Sequence, residues 1–286
     1  YYELGFEHIF PVSALHNLGF GELLDEVVRD FNDAPPVVDD ALRFCIIGRP
    51  NVGKSSLINA LLNEERVLVS DVAGTTRDAV DTKFRYEGND YVVVDTAGMR
   101  KKGRIFESIE KYSLIRSLRA ISESDVCVLV IDANTGIIEH DKHIASYAIE
   151  AGKGIVLVVN KWDTIENKDQ AIKQWKVLIE NEFQFMPWVK VVFLSAKTKK
   201  RLHTLMPEVI NAYNNNRREV KTSMLNNVIV DAVKMHEPPG YKGRKLKIYF
   251  SSQTGMCPPK FTFRCNDKGL VHFSYERYLE NQIRAN

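Results

Sequence analysis

Short apolar runs and stretches of helical spacing alternate along the middle of this chain. The runs cover 44–47, 91–94, 126–131, 155–159 and 189–194. Between them, apolar positions recur with helical periodicity over 55–62, 106–119, 140–150, 169–182 and 202–213. Strands that read as unbroken apolar runs are buried on both faces. Their alternation with helices predicts an α/β fold, a mainly parallel sheet covered on both sides. In such sheets ligands bind at the carboxyl ends of the strands.

The pattern changes towards both ends. An apolar stretch at 9–12, Ser13-Ala14 and helical spacing over 20–31 follow one another near the start. Residues 192–194, Ser195-Ala196-Lys197 and 202–213 follow the same plan. Strand, Ser-Ala, loop and helix thus occur twice, which reads as the tail of an earlier copy of one domain. A coincidental Ser-Ala after a strand is the alternative. Asn32-Asp33-Ala34-Pro35-Pro36 reads as a stiff linker. Past 216, a helix is predicted over 223–233, with Thr222 or Ser223 as its N-cap. A loop at Glu237-Pro238-Pro239-Gly240, strands at 246–250 and 260–265 and a helix at 273–284 complete a small α/β module. The expected division is 1–34 for the remnant of a first domain, 35–40 for a linker, 41–216 for a second domain and 217–286 for the module.

The length of 286 residues suits about two domains, and the composition is that of a soluble globular protein. No apolar run is long enough to span a bilayer, and the first residues lack a basic, then apolar, leader, so neither a membrane nor a secretory route is expected. Cys45 and Cys127 fall in apolar runs and are expected in the core, while Cys257 and Cys265 complete a set with no C-x-x-C pair. No zinc site and a reduced, cytoplasmic setting follow. The net charge of +2 hides an asymmetry, because residues 217–286 hold 13 Lys/Arg against 6 Asp/Glu. A basic module on an acidic domain hints at a nucleic-acid contact; a solvated basic face is the alternative.

Gly48-Arg49-Pro50-Asn51-Val52-Gly53-Lys54-Ser55, followed by Ser56, matches the phosphate-binding loop and lies between a predicted strand and helix. Its backbone N–H groups and the helix N-terminus would cradle phosphates, Lys54 would reach the β- and γ-phosphates, and Ser55 would ligate Mg²⁺. In Gly74-Thr75-Thr76-Arg77-Asp78, Thr76 is favoured over Thr75 to close on Mg²⁺ when a γ-phosphate is present. Asp95-Thr96-Ala97-Gly98 ends a strand, so Asp95 would hold Mg²⁺ through water and the Gly98 N–H would bond the γ-phosphate. Met99 follows where Ras-like proteins place the glutamine that orients water, so another group must supply electrostatic help. Asn51 is the best candidate, its side-chain oxygen holding K⁺ against the phosphates; a loop-stabilising Asx turn is the alternative. Arg100, Lys101, Lys102 and Arg104 follow, either docking on RNA or forming a solvated loop.

Asn160-Lys161-Trp162-Asp163 ends another strand. The Asp163 carboxylate would accept from the ring N–H and amino group of guanine, a donor pair that adenine lacks. Lys161 would pack its stem on the ring or cross to the phosphate loop. Ser195-Ala196-Lys197 would complete the pocket, with the Ala196 N–H donating to the guanine carbonyl. These five motifs, in this order, resemble those of translation-factor-class GTPases of the Era-like group. The preceding tail, the Gly98-Met99-Arg100-Lys101-Lys102-Gly103 run and the basic module make the chain similar to the bacterial GTPases with two tandem G domains and a C-terminal KH-like domain. That resemblance implies a GTPase using GTP/GDP and Mg²⁺, with K⁺-assisted hydrolysis through Asn51. It implies a role in late assembly of the large (50S) ribosomal subunit, with that subunit, its rRNA and a preceding G domain of the same protein as partners. A GTP-dependent RNA- or ribosome-docking protein with incidental turnover, or an Era-like GTPase of tRNA modification, are the alternatives. KH modules clamp RNA with a Gly-x-x-Gly loop between two helices. Gly240 and Gly243 have that spacing but lie between a helix and a strand, and a third strand of a KH-like sheet is missing from the sequence.

Overall fold

A computed structural model describes residues 5, 8–16, 18–29, 41–64, 66–69, 81–96, 109–240 and 243–286, with backbone alone over 109–114. Thr76, Ala97, Gly98, Met99, the basic run after Met99 and the linker at 32–36 lie outside these residues. Residues 1–40 and 41–286 are separate compact units.

In the first unit the helix α1 (Phe20–Arg29) forms as predicted from its spacing, but the stretch before it is not a strand. A single antiparallel bridge joins Ser13 to Leu18 instead.

In the second unit the strands β1 (Leu42–Ile47), β2 (Val67–Val69), β3 (Thr82–Tyr86), β4 (Asn89–Val94), β5 (Val126–Asp132), β6 (Gly154–Asn160) and β7 (Lys190–Phe193) form one sheet. Their order is β2-β3-β4-β1-β5-β6-β7. The pairs from β4 to β7 are parallel, and β2 and β3 add an antiparallel edge. The helices are α2 (Lys54–Leu62), α3 (Ile109–Ser122), α4 (Glu139–Glu150), α5 (Lys168–Glu182) and α6 (Leu205–Asn216).

The unbroken apolar runs have a simple cause, since each strand buries both of its faces. On β1 and β5, Phe44, Ile46, Val126, Val128 and Val130 pack with Leu57 and Leu61 of α2 and Leu205 and Val209 of α6. The residues between them, Cys45, Ile47, Cys127, Leu129 and Ile131, pack with Ile121 of α3, Ile144 of α4 and Trp175 of α5. Cys45 and Cys127 are fully buried, as expected. The edge strands were not legible as apolar runs, because only alternate residues, Thr82, Phe84 and Tyr86, are buried on β3. Their signal is the Glu87-Gly88 turn, where both residues have positive φ, 48° and 84°, as a tight hairpin requires.

The C-terminal module holds α7 (Thr222–Met235), β8 (Ile248–Gly255), β9 (Lys260–Cys265) and α8 (Phe273–Ala285). Its core is Leu225, Ile229, Ala232, Leu246, Leu270, Tyr275 and Leu279. α7 starts one residue earlier than its spacing suggests, with Lys221 at the N-cap rather than Thr222 or Ser223. Asn226 explains the position of β8, which is shifted from the expected 246–250: its amide donates to Ser251 O at 2.8 Å and accepts from Ser251 N at 2.9 Å. The sheet of the module has two strands among the described residues. The module is tied to the preceding domain by Cys257 N donating to Asn216 O at 3.2 Å and by the Arg284 guanidinium 3.7 Å from the Trp188 ring centroid. No helix among the described residues is long and apolar enough to cross a membrane.

Phe44 is fully buried with its ring edge-on to Phe84, centroids 6.1 Å apart. Phe44→Ala is expected to cost about 3–5 kcal/mol. The midpoint of urea unfolding reads this, and a shift worth less than about 1 kcal/mol would mean that the site collapses without a cavity.

Candidate nucleotide-binding site

The carboxyl ends of β1, β4, β5, β6 and β7 lie along one edge of the sheet, and four of the predicted motifs follow β1, β4, β6 and β7 there. Behind β1 the chain turns through Gly48, φ 137°, where a Cβ would meet Val130 O of β5. Asn51, φ 64°, and Gly53, φ 98°, follow in left-handed geometry. A Cβ on Gly53 would strike the Asn160 amide. These glycines are therefore required by close backbone approach as well as by φ. Gly53 caps α2 without a side chain, which leaves the first N–H groups of α2 for a ligand. Ser55 is half-buried in that first turn, Val52 is buried below the loop, and Pro50, Asn51 and Ser56 are exposed.

Lys54 folds back over the loop. Its Nζ donates to Gly48 O at 2.7 Å and to Arg49 O at 2.6 Å. Burial pushes its ammonium down to about 8, against the opposing pull of the Asp141 carboxylate. The Arg49 side chain turns away from the loop. Its Nε donates to Asp141 Oδ1 at 3.0 Å, and its second nitrogen reaches Thr135 Oγ1 at 3.0 Å and Gly136 O at 2.9 Å. Asp141 is fully buried at the start of α4 and also accepts from Ile138 N at 3.1 Å. Burial raises its carboxyl pKa, and the Ile138 N–H and Arg49 oppose this. Arg49 thus braces the loop through its side chain and offers only its backbone to a ligand.

At the end of β6, Asn160 is buried and fully engaged. Its Nδ2 donates to Val52 O at 2.9 Å, and its Oδ1 accepts from Ala196 N at 3.0 Å. The sequence-based expectation pairs the Ala196 N–H with guanine; here that donor joins the two loops. Lys161, φ 62°, donates through Nζ to Asp132 Oδ2 at 2.6 Å and not to the phosphate loop. Asp132, at the end of β5, also accepts from Asn134 N at 2.9 Å. Burial raises its carboxyl pKa, but the Lys161 and Asn134 bonds prevail and hold it below the ordinary value. Sequence reasoning missed Asp132, although it ends an apolar strand as Asp95 and Asn160 do. Asp163 is half-buried in a short turn, and the Ser195 hydroxyl holds its carboxyl below the usual range. Ser195 is buried, and Lys197 is exposed. Trp162 is buried with its ring centroid 4.5 Å from that of Phe193, which fixes the turn that presents Asp163.

At the end of β4, Asp95 takes φ 57°, and its N–H donates to Asp81 Oδ1 at 3.1 Å. Arg116 Nε lies 3.4 Å from Asp95 Oδ2. Burial raises the Asp95 carboxyl pKa, and Arg116 opposes the rise. Thr96 is buried with its hydroxyl 2.8 Å from that of Thr82, so its side chain ties β3 to the end of β4. No cluster of three His, Cys, Asp or Glu suited to a metal occurs among the described residues. That donor set fits Mg²⁺ only in its usual phosphate-site form, with few protein ligands and the rest from phosphate and water. Ser55 lies in the first turn of α2 behind β1, and Asp95 ends β4, the strand next to β1, so both stand at the same carboxyl edge.

A parallel sheet with a glycine-bounded loop, a folded-back lysine and an uncapped helix at its carboxyl edge defines a P-loop nucleotide-binding domain of the GTPase class. A family model described as 50S ribosome-binding GTPase matches residues 43–161, and one described as KH-domain-like of EngA bacterial GTPase enzymes, C-terminal, matches 219–286. GTPase Der of Staphylococcus saprophyticus is 53% identical over 287 residues and all of this chain, and that of Geobacillus kaustophilus is 54% identical over 286 residues and 99% of it. GTPase Der of Staphylococcus aureus is 52% identical over the whole chain. The chain belongs to the GTPase Der family and spans 66% of the length of each of these relatives.

Removing Arg49 takes the cation from the buried Asp141 carboxylate and leaves it the Ile138 N–H. Arg49→Ala is expected to destabilise the fold by about 3–5 kcal/mol at neutral pH. The loss shrinks on acidification, because a carboxyl whose folded pKa lies above its unfolded value is destabilising only while it is charged. Chemical denaturation at pH values on both sides of that titration reads both effects, and a loss below about 1 kcal/mol would place water on Asp141 instead.

Proposed function

We propose that this chain binds GTP with Mg²⁺ and hydrolyses it to GDP and phosphate. The observation that carries the reading is the Lys54 ammonium held on the carbonyls of Gly48 and Arg49 beneath the uncapped start of α2. A partly buried cation with displaceable carbonyl partners, next to free helix N–H groups, is built for a polyphosphate. Ser55, Asp95 and Thr76 are the residues to hold Mg²⁺, which when bound would neutralise charge on the β- and γ-phosphate oxygens. The backbone of residues 48–56 would cradle the phosphates, and the Gly98 N–H would bond the γ-phosphate. With Met99 in the water-orienting position, Asn51 would hold K⁺ where developing negative charge needs a cation. Its exposure and left-handed backbone at the loop tip suit that role. Asp163 would read guanine through its two donors, held in its charged form by Ser195 and Lys197.

Family membership supports a switch acting in ribosome assembly. We place that action late, on the large (50S) subunit and its rRNA. Residues 1–34 would be the remnant of a first G domain, 41–216 the second G domain and 217–286 the KH-like domain.

Asp163→Asn exchanges an acceptor for an amide that matches xanthine. It is expected to lower GTP affinity relative to XTP by at least about tenfold. Competition titration checks this, and an unchanged GTP preference would remove Asp163 from the base site. Lys54 must be charged to meet phosphate. The free ammonium loses its proton near pH 8, so GDP binding is expected to take up protons above that pH and to weaken as pH rises. Calorimetry in buffers of different ionisation heat reads the uptake, and affinity that stays flat from about pH 7 to about 9.5 would separate Lys54 from the phosphates. Phosphate release is expected to be faster in K⁺ than in Na⁺ and to lose that difference in Asn51→Ala. Stimulation that survives the substitution would assign the cation elsewhere.

A further inference from the structure

The sheet of the C-terminal module has one covered face and one open face. In β8 and β9, Phe250 lies opposite Arg264, Ser252 opposite Thr262 and Gly255 opposite Lys260. Phe261, Phe263 and Cys265 turn inwards against the core of α7 and α8. The residues that alternate with them, Lys260, Thr262 and Arg264, are exposed. A register shift between Ile248 and Phe250 leaves both aromatic rings outside, Tyr249 63% and Phe250 49% exposed. The hydroxyls of Thr254 and Thr262 pair across the strands at 3.0 Å.

This face combines uncovered rings, cations and hydroxyls, and neither of its strands carries an Asp or Glu. The stretch 238–266, which includes both strands, holds six Lys/Arg and no Asp or Glu. Such a surface suits a polyanion that also offers flat apolar faces. Unpaired bases stack on aromatic rings, cations follow the phosphates, and hydroxyls reach the sugars. A duplex hides its base faces and would leave the rings in water. A protein partner fits less well, because the centres of protein interfaces are depleted in lysine.

We propose that the open face of β8 and β9 binds single-stranded RNA, with bases stacked on Phe250 and Tyr249 and phosphates on Arg264 and Lys260. This puts the RNA on the sheet and not on a Gly-x-x-Gly loop. The proposal deepens the rRNA association proposed above and rests on it for the source of the strand, but it is independent of the nucleotide pocket.

The test uses the whole chain and a fluorescein-labelled single-stranded RNA of mixed sequence, with the same sequence as a duplex, read by fluorescence anisotropy. The single strand is expected to bind more tightly than the duplex. Phe250→Ala is expected to weaken single-strand binding by about 5- to 150-fold. Phe250→Leu, which keeps an apolar side chain but removes the ring, is expected to weaken it too. Arg264→Gln should flatten the salt dependence by about one counterion. Thermal melts of the variants show whether the module stays folded. Wild-type affinity in a folded Tyr249→Ala/Phe250→Ala chain would overturn the proposal, as would equal binding of strand and duplex. So would a double variant that keeps its RNA affinity but changes the oligomeric state of the chain, which would mark the face as a protein interface. Co-sedimentation with large subunits tests the association itself, so a chain that sediments but ignores single strands overturns this face alone.

Discussion

The buried amide of Asn160 holds together parts of the chain that lie 108 and 36 residues away from it. It donates to the loop behind β1 and accepts from the loop behind β7, and the lack of a side chain on Gly53 makes the approach possible. Both loops are otherwise irregular backbone at the rim of a sheet, the part of a fold that moves most easily. A side chain with both its donor and its acceptor engaged away from water is costly to disturb. The geometry of the proposed phosphate cradle and of the proposed base pocket therefore depends on one residue whose own contacts are internal.

A second network does similar work with charge. Arg49 leaves the phosphate loop to pair with the fully buried Asp141 at the start of α4, and Lys161 pairs with Asp132 at the end of β5. Each pair places a cation next to the proposed nucleotide without aiming it at the phosphates. Lys54 is different, because its partners are neutral carbonyls. Its ammonium is partly desolvated and, among the described residues, has no carboxylate bonded to it, so it gains the most when an anion arrives. Among these three cations the structure thus separates two that hold loops from one that is free to exchange partners.

The C-terminal module works on a different physical basis. Its small core fixes two helices on one side of a two-stranded sheet and leaves the other side to solvent. The charge asymmetry of the chain is concentrated in this module, and the acid-free stretch falls on and around its strands. Arg217, Cys257 and Arg284 join the module to the preceding domain through an ion pair with Asp125, a hydrogen bond to Asn216 O and a cation–π contact with Trp188. These contacts leave the uncovered sheet face outside the joint.

Sequence alone determined the class of fold. Runs such as 126–131 can be buried on both faces only in a helix-covered parallel sheet, and the phosphate-loop glycines stand between such a run and a helix. The order of the motifs was likewise legible, because all but Gly74–Asp78 lie at the end of an apolar run. The edge strands β2 and β3 escaped, since a half-buried strand such as β3 alternates and carries no long apolar signal. The stretch before α1 misled in the other direction, because a few apolar residues suggest a strand but cannot make one without a pairing partner. Tertiary structure alone decided which polar side chains face a ligand and which hold the scaffold. Arg49, Asn160, Lys161 and Thr96 stand in binding motifs, yet their side chains reach Asp141, Val52, Asp132 and Thr82. Periodicity records which residues leave water, whereas the partner of a buried polar group is set by chain segments far away in sequence, and only the folded chain brings those together.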